Sequence, residues 1–194
     1  MQQVPPAPGG DLGVAVAQIE AALPSSPESD SYRRQMLEFV ASNPGAMHRS
    51  CSAGHLTGSA LIVDHRRERT LLMLHAKLGM WLQPGGHADG EGNLALVALE
   101  EAREETGVED LRVVTPAIDC DVHAIPARPG EPEHLHLDLR YLVLAPADAA
   151  PAKNHESHEL RWVGIDELER LATDDSLRRL AQLGLALAAD VCGD

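Results

Sequence analysis

The segment PGGHADGEGNLALVALEEAREETGV, residues 84–108, restricts the fold more than any other. Its first nine residues hold four glycines and a proline, a composition that excludes regular structure and predicts a loop. From Asn93 onward the segment has helical periodicity, with Asn93 suited to the N-cap and Gly107 to the C-terminal stop. Four glutamates crowd positions 100–105 of that helix. Glu101, Glu104 and Glu105 fall at i, i+3 and i+4 and share a face, while Leu94, Val97, Ala98 and Ala102 supply an apolar side. Like charges at this spacing oppose a helix by about 0.2–0.5 kcal/mol per pair. Two readings accommodate them: a solvated acidic face with Arg103 in partial relief, or carboxylates gathered around a cation. Oxygen donors of this kind suit hard ions such as Mg²⁺ or Mn²⁺, which share their coordination with substrate phosphates.

The chain of 194 residues is long enough for one substantial core and short for two. Residues 1–11, rich in Pro and Gly, read as a flexible N-terminus, and 12–45 as a helical extension. That extension comprises LGVAVAQIEAAL, the stop PSSPESD, and a second helix over SYRRQMLEFVASN capped by Ser29 or Asp30. Residues 46–194 read as the main domain. In it SALIVDH and TLLMLHA flank RRER as a hairpin, and MWLQ, LRVVTPAIDCDVHAI, HLHLDLRYLVLA and ELRWV are strand-like. IDELERLA and SLRRLAQLGLALAADV read as closing helices. Strands on both sides of the acidic helix indicate mixed α/β or α+β architecture.

Only 3% of residues are aromatic, so Leu, Val and Ala must fill the interior. A net charge of −14 argues against nucleic acid or an anionic membrane as partner, since both would repel the average surface. Three widely spaced cysteines fit reduced thiols in the cytoplasm, and neither a signal peptide nor a membrane-spanning run is visible.

Taken together, GHADGEGNLALVALEEAREETGV resembles the signature of the Nudix hydrolase family, G-x5-E-x7-R-E-U-x-E-E-x-G-U with U a bulky aliphatic residue. Gly86 opens the motif; Glu101, Glu104, Glu105, Gly107 and Val108 meet its later positions, with Ala102 at the first aliphatic one. WLQPGGH resembles the strand and glycine turn that precede the signature, and ELRWVGIDEL the family's late strand and following helix, so the likeness covers roughly residues 55–172. It implies a Nudix-type α/β/α sandwich with a mixed β-sheet, here carrying an N-terminal helical extension. It also implies hydrolysis of a diphosphate linkage in a nucleoside diphosphate derivative or related small molecule, with Mg²⁺ or Mn²⁺ as cofactor. By the same resemblance Glu101, Glu104, Glu105 and the Gly85 carbonyl are metal ligands, and Glu104 or Glu105 orients or deprotonates water. In some members the general base lies on a later loop, where Glu156 and Glu159 are the candidates. Two positions depart: Gly92 stands where the family has its first glutamate, and Glu100 where it has an arginine that steadies the others. Glu91 and Arg103 are the nearest substitutes.

Ten histidines are present. In HLHLDLRY, His134, His136, Asp138 and Arg140 alternate onto one strand face, and Asp119, Asp121 and His123 do the same one strand earlier. If the two strands pair, a polar face results, either solvated or lining a cleft that binds substrate through His136, Asp138 and Arg140. His134 and His136 also admit a zinc site, although two ligands without cysteine partners are few. His75, Lys77 and His87 flank the glycine loop as further substrate-binding candidates, and Trp81 reads as core. The partners expected are a small diphosphate substrate and a second copy in a homodimer; for the N-terminal helices three roles stay open, promoting dimerisation, covering the pocket or packing on the core. A non-catalytic binding module and a metal-storing protein are the rival functions.

Overall fold

A computed structural model describes residues 10–24, 26–155 and 157–190. In chain order it contains α1 (Leu12–Ala21), α2 (Pro27–Ser42), β1 (Gly54–Val63), β2 (Thr70–His75), β3 (Trp81–Leu82), β4 (Gly85–His87), α3 (Leu94–Thr106), β5 (Arg112–Ile125), β6 (His134–Leu144), β7 (Ser157–Val163), α4 (Ile165–Leu168) and α5 (Asp175–Asp190).

Seven strands make one mixed sheet with the path β3-β2-β1-β6-β5; β4 pairs with β1, and β7 with β2. The β1–β2 hairpin is the expected one, with Ile62 opposite Leu71 and Val63 opposite Thr70. Its turn is tied by Asp64, whose carboxylate accepts the Glu68 and Arg69 amides. β1 and β6 run parallel over their full shared length, and β5 pairs antiparallel with β6.

Alternation sorts the sheet residues into two apolar layers. Leu56, Ala60, Ile62, Leu139, Tyr141 and Val143 pack under α1, α2 and α3, whereas Leu61, Val63, Leu142, Leu144 and Val163 pack under α4 and α5. This is an α/β/α sandwich. Each fully buried Leu or Ile contributes roughly 1.5–3 kcal/mol by leaving water. Closest approach occurs at Gly58 of β1, where an added Cβ would lie 2.6 Å from the Leu94 carbonyl oxygen. The absence of a side chain lets the start of α3 lie directly on the strand.

The N-terminal helices belong to this packing. Gln18 of α1 donates to Asn93 Oδ1 (2.7 Å) and accepts from the Tyr141 hydroxyl (2.9 Å), bracing the N-cap of α3. The buried Ser29 hydroxyl of α2 accepts the Cys120 amide.

Two expectations are corrected. α2 begins at Pro27 with Ser26 as N-cap, not at Ser29 or Asp30, because proline suits a first helical turn that has no amide to donate. The glycine loop is not wholly irregular: Gly85–His87 pair with Thr57–Ser59, since the β1 edge there would otherwise leave backbone groups unpaired.

Candidate active site

Asn93 caps α3 through its side chain, which accepts the Leu96 amide, and Gly107 ends the helix in the left-handed conformation. Both were expected. The helix runs past β4, and its glutamates meet the double glycine. Glu105 is 5% exposed, and its Oε2 accepts the Gly85 amide at 3.0 Å. Glu101 is half-buried with its carboxylate over Gly86 Cα, where any Cβ would collide with it. Glu104 is exposed one turn beyond Glu101. The result is a cradle in which one carboxylate is fixed by a backbone amide, one lies over a bare Cα and one faces solvent. These acids fit a hard divalent cation: glycine at 86 leaves the volume in which the Glu101 oxygens lie, and the donors are all oxygen.

At the departures from the motif, Glu91 Oε1 accepts the Asn93 amide (2.7 Å) and so supports the start of α3. Arg103 donates from Nε to the Glu109 carbonyl (3.1 Å), closing the turn after the helix. A positive charge reaches Glu101 from elsewhere. Arg49 forms a bidentate pair with Asp89 (2.7 and 3.0 Å), and that hydrogen bond, aided by the Glu101 and Glu131 charges, holds its guanidinium above the ordinary range.

On the other side of β4 the strand registers assemble a polar face. His55 lies beside His136, which faces His123; Thr57 lies beside Asp138, which faces Asp121; Ser59 lies beside Arg140, which faces Asp119. His87 joins from β4 opposite Thr57. Its Nε2 is 3.2 Å from His136 Nε2. Burial, the Arg49 charge and His55 push His87 down to about 4. Burial and the surrounding histidines push His136 down to about 2. His55 is also lowered by burial and His134, and the nearby Cys51 carbonyl opposes this only partly. Neither His55 nitrogen has a hydrogen-bond partner among the described residues, nor has His134 Nε2. Leaving such a group unsatisfied costs roughly 1–3 kcal/mol. His123 goes the other way, raised by its 2.9 Å hydrogen bond to Asp121 against the effect of burial.

These shifts make stability depend on pH. Unfolded histidines titrate near about 6.5, so between there and about 4 the unfolded chain holds protons that folded His87 and His136 refuse. Their contribution is present above about 6.5 and lost as pH falls. The half-exposed His123 contributes oppositely, with stability lost as pH rises through its raised value. Because the lowered rings outnumber the raised one, the urea midpoint of the metal-free protein is expected to drop between pH ~7 and ~5. His136→Gln should flatten that drop, and an equally steep one in the variant would show that other groups cause it.

Asp138 and Arg140 do not line an open cleft. They are 2% and 3% exposed, and Arg140 binds Asp138 (2.9 Å), Asp121 (2.9 Å), Asp119 (3.4 Å) and the Ser176 hydroxyl (2.6 Å). Thr57 and Ser59 donate to Asp138, and Arg179 of α5 pairs with Asp121 and Glu28. Helix α5 covers this part of the face, which strand alternation alone does not reveal. Although burial works against ionisation, the His123 hydrogen bond, Arg140 and Ser176 hold the Asp121 carboxyl well below the usual range.

The remaining candidates are dispersed. Glu159 on β7 accepts both Nε (2.9 Å) and NH2 (2.6 Å) of Arg161, which also covers the Trp81 ring. Glu156 lies outside the described residues. His75 accepts the Lys77 and Leu78 amides through Nδ1 and so shapes the β2–β3 turn; Lys77 is exposed on it. Trp81 is core, as expected. Sequence reasoning missed His55 and Arg49. The alternation of His55, Thr57 and Ser59 in GHLTGSALIV was a readable signal, obscured by starting β1 at Ser59; Arg49 carried none.

The NUDIX domain model matches residues 55–183. A curated relative, CMP-5'-(N-acetyl-N-hydroxy-3-aminopropyl)phosphonate hydrolase of Streptomyces rubellomurinus, is 30% identical over 125 residues, covering 59% of this chain and 54% of that protein. The chain thus spans about half the length of the curated relative it matches. Among solved structures, a Nudix-family hydrolase from Clostridium perfringens aligns with TM-score 0.54 and 24% identity over 69% of this chain and 97% of that one. A C. elegans Ap4A hydrolase aligns with TM-score 0.57 and 16% identity over 70% and 98%. At those identities the two structures speak for the fold. With the family model matched over more than half of its length, and the glutamate helix lying on the double glycine, the chain belongs to the Nudix family.

Proposed function

We propose that the chain is a divalent-metal-dependent pyrophosphohydrolase acting on a nucleoside diphosphate derivative or a related small diphosphate. The observation that carries this reading is the cradle itself: Glu105 held by the Gly85 amide, Glu101 over Gly86, and Glu104 open to solvent on the same helix. Glu101, Glu104 and Glu105, with the Gly85 carbonyl, would hold Mg²⁺ or Mn²⁺. Bound there, the ion supplies charge neutralisation for an anionic substrate that a chain of net charge −14 would otherwise repel. The chain's own residues do the rest. The exposed Glu104 takes the proton of the attacking water as its oxygen bonds to phosphorus and the bridging P–O bond breaks. Glu105 holds its place through the Gly85 amide, so the site needs no rearrangement at the moment of reaction. His87 and His136, half-buried and neutral, lie on the opposite face of β4 from the cradle and are assigned no contact with the diphosphate.

The Streptomyces rubellomurinus relative is named as a hydrolase of a CMP-linked phosphonate, which agrees with a nucleotide joined to a second phosphorus group as substrate class. The test is purified protein with Mg²⁺ or Mn²⁺ against nucleoside diphosphate sugars, dinucleoside polyphosphates and nucleoside triphosphates, repeated with chelator. Turnover that stops on chelation supports the proposal. A second reading, a binding module of reduced catalytic power, draws on Glu91 being engaged at the start of α3 and Glu100 standing where the family has arginine. Tight nucleotide binding without product would select it.

Gly86→Ala separates the cradle from the fold. The added methyl meets the end of a flexible Glu101 side chain, not backbone, so the protein is expected to fold normally while Glu101 is pushed off the site. Mn²⁺ affinity should fall about tenfold or more, as when a ligand loses its orientation. Unchanged Mn²⁺ titrations would remove Glu101 from the ligand set.

A further inference from the structure

We propose that His55, His87 and His136 form a second metal site, for a borderline transition cation such as Zn²⁺, distinct from the glutamate cradle. Their donor nitrogens all lie within 4.8 Å of one another. The 3.2 Å between His87 Nε2 and His136 Nε2 is already near the ~3.3 Å that separates two nitrogens on one tetrahedral zinc, given Zn–N bonds of about 2.0–2.1 Å. Drawing in His55 takes a movement of about 1–1.5 Å on the same estimate.

His55 supplies the independent observation. It is 2% exposed, and neither ring nitrogen has a hydrogen-bond partner among the described residues, although it sits amid three other imidazoles at centroid distances of 4.8–4.9 Å. A neutral His87–His136 hydrogen bond accounts for two of the rings and leaves His55 unexplained. A cation between the three gives His55 a partner.

Two further imidazoles flank the three. His134 is 4% exposed, donates from Nδ1 to the Pro132 carbonyl at 2.9 Å, has the Glu131 carboxylate 3.8 Å from Nε2, and stacks over His55. His123, held by Asp121, stands edge-on to His136 at 5.5 Å. Imidazole donors favour Zn²⁺ and its neighbours over Mg²⁺ and Mn²⁺, so the two sites would sort their ions by ligand chemistry. They are also on opposite faces: Gly86 turns to Glu101, and His87, next along the strand, turns to the histidines. Three protein ligands leave a fourth position for water or a substrate oxygen.

The experiment uses metal alone, without nucleotide, and so stands or falls independently of the hydrolase reading. Metal-stripped protein is dialysed against Zn²⁺, and its content is compared in wild type, His87→Gln, His136→Gln and Glu104→Gln, with circular dichroism to check folding. Co²⁺ replaces Zn²⁺ in a parallel set, for its absorption spectrum. Expected is one Zn²⁺ per chain and the intense visible bands of four-coordinate Co²⁺ in wild type and Glu104→Gln. Either histidine change should weaken binding at least about a hundredfold, beyond the range for loss of an outer-shell partner. No bound metal in wild type, or binding that survives both histidine changes, overturns the site. So does binding lost with Glu104→Gln, or octahedral Co²⁺ bands.

Discussion

Glu105→Gln and Glu104→Gln are each expected to lower kcat/KM by about 10²–10⁴, and magnesium dependence should tell them apart. Glu105 is buried with its Oε2 on the Gly85 amide. A glutamine carbonyl accepts the same amide, so fold and turn survive while one negative charge leaves the cradle. Charge is what a metal ligand supplies, so raising Mg²⁺ should restore part of the Glu105→Gln rate. Glu104 faces solvent, and besides its place in the ligand set it is assigned the proton transfer, which an amide does not perform at any metal concentration. Its rate should stay low at saturating Mg²⁺. Should either variant keep activity within tenfold of wild type, the assignment for that residue is wrong.

Arg140→Ala is expected to cost about 3–5 kcal/mol of folding stability, the effect of removing one partner from a buried ionic network. Its guanidinium is the common partner of Asp119, Asp121 and Asp138, all 5% exposed or less. Although burial alone would lower it, those carboxylates hold the Arg140 pKa above its usual value. Without it, Asp138 keeps the Thr57 and Ser59 hydroxyls and Asp121 keeps Ser176, Arg179 and His123. Asp119 fares worst: among the described residues one of its oxygens already lacks a hydrogen-bond partner, and the other keeps Arg179 at 3.6 Å. A total stability of about 5–15 kcal/mol is typical for a domain, so the loss is visible in urea titration and threatens folding at elevated temperature. Arg140→Lys, which restores a point charge without the fork, should recover part of it. A change under about 1 kcal/mol would mean the aspartates take up protons or find water instead.

Local rules placed most of the elements. Asn93 and Gly107 bounded α3 because caps answer to backbone groups within a few residues. The alternation in HLHLDLRY identified the face of β6 because strand side chains repeat every second residue. The hairpin and the β5–β6 pairing were legible for the same reason. Reading failed where local composition and long-range pairing disagree. Glycines that forbid a helix do not forbid Gly85–His87 from completing the β1 edge, and Pro27 opened a helix that it was expected to delay.

The sequence by itself determined the helix, its three acids and the spacing from the double glycine, all of which depend on contacts within a few turns of chain. Tertiary structure alone decided what each polar face meets. His134, His136, Asp138 and Arg140 share one strand face, yet α5 seals the last two into an ionic network while the first two join His55 and His87. Which residues share a face is a property of one strand's geometry; what covers that face depends on segments far along the chain, as with Thr57 and Asp138 at a separation of 81. Arg49, Asp89 and Glu101 likewise come together only once β1 and α3 have packed.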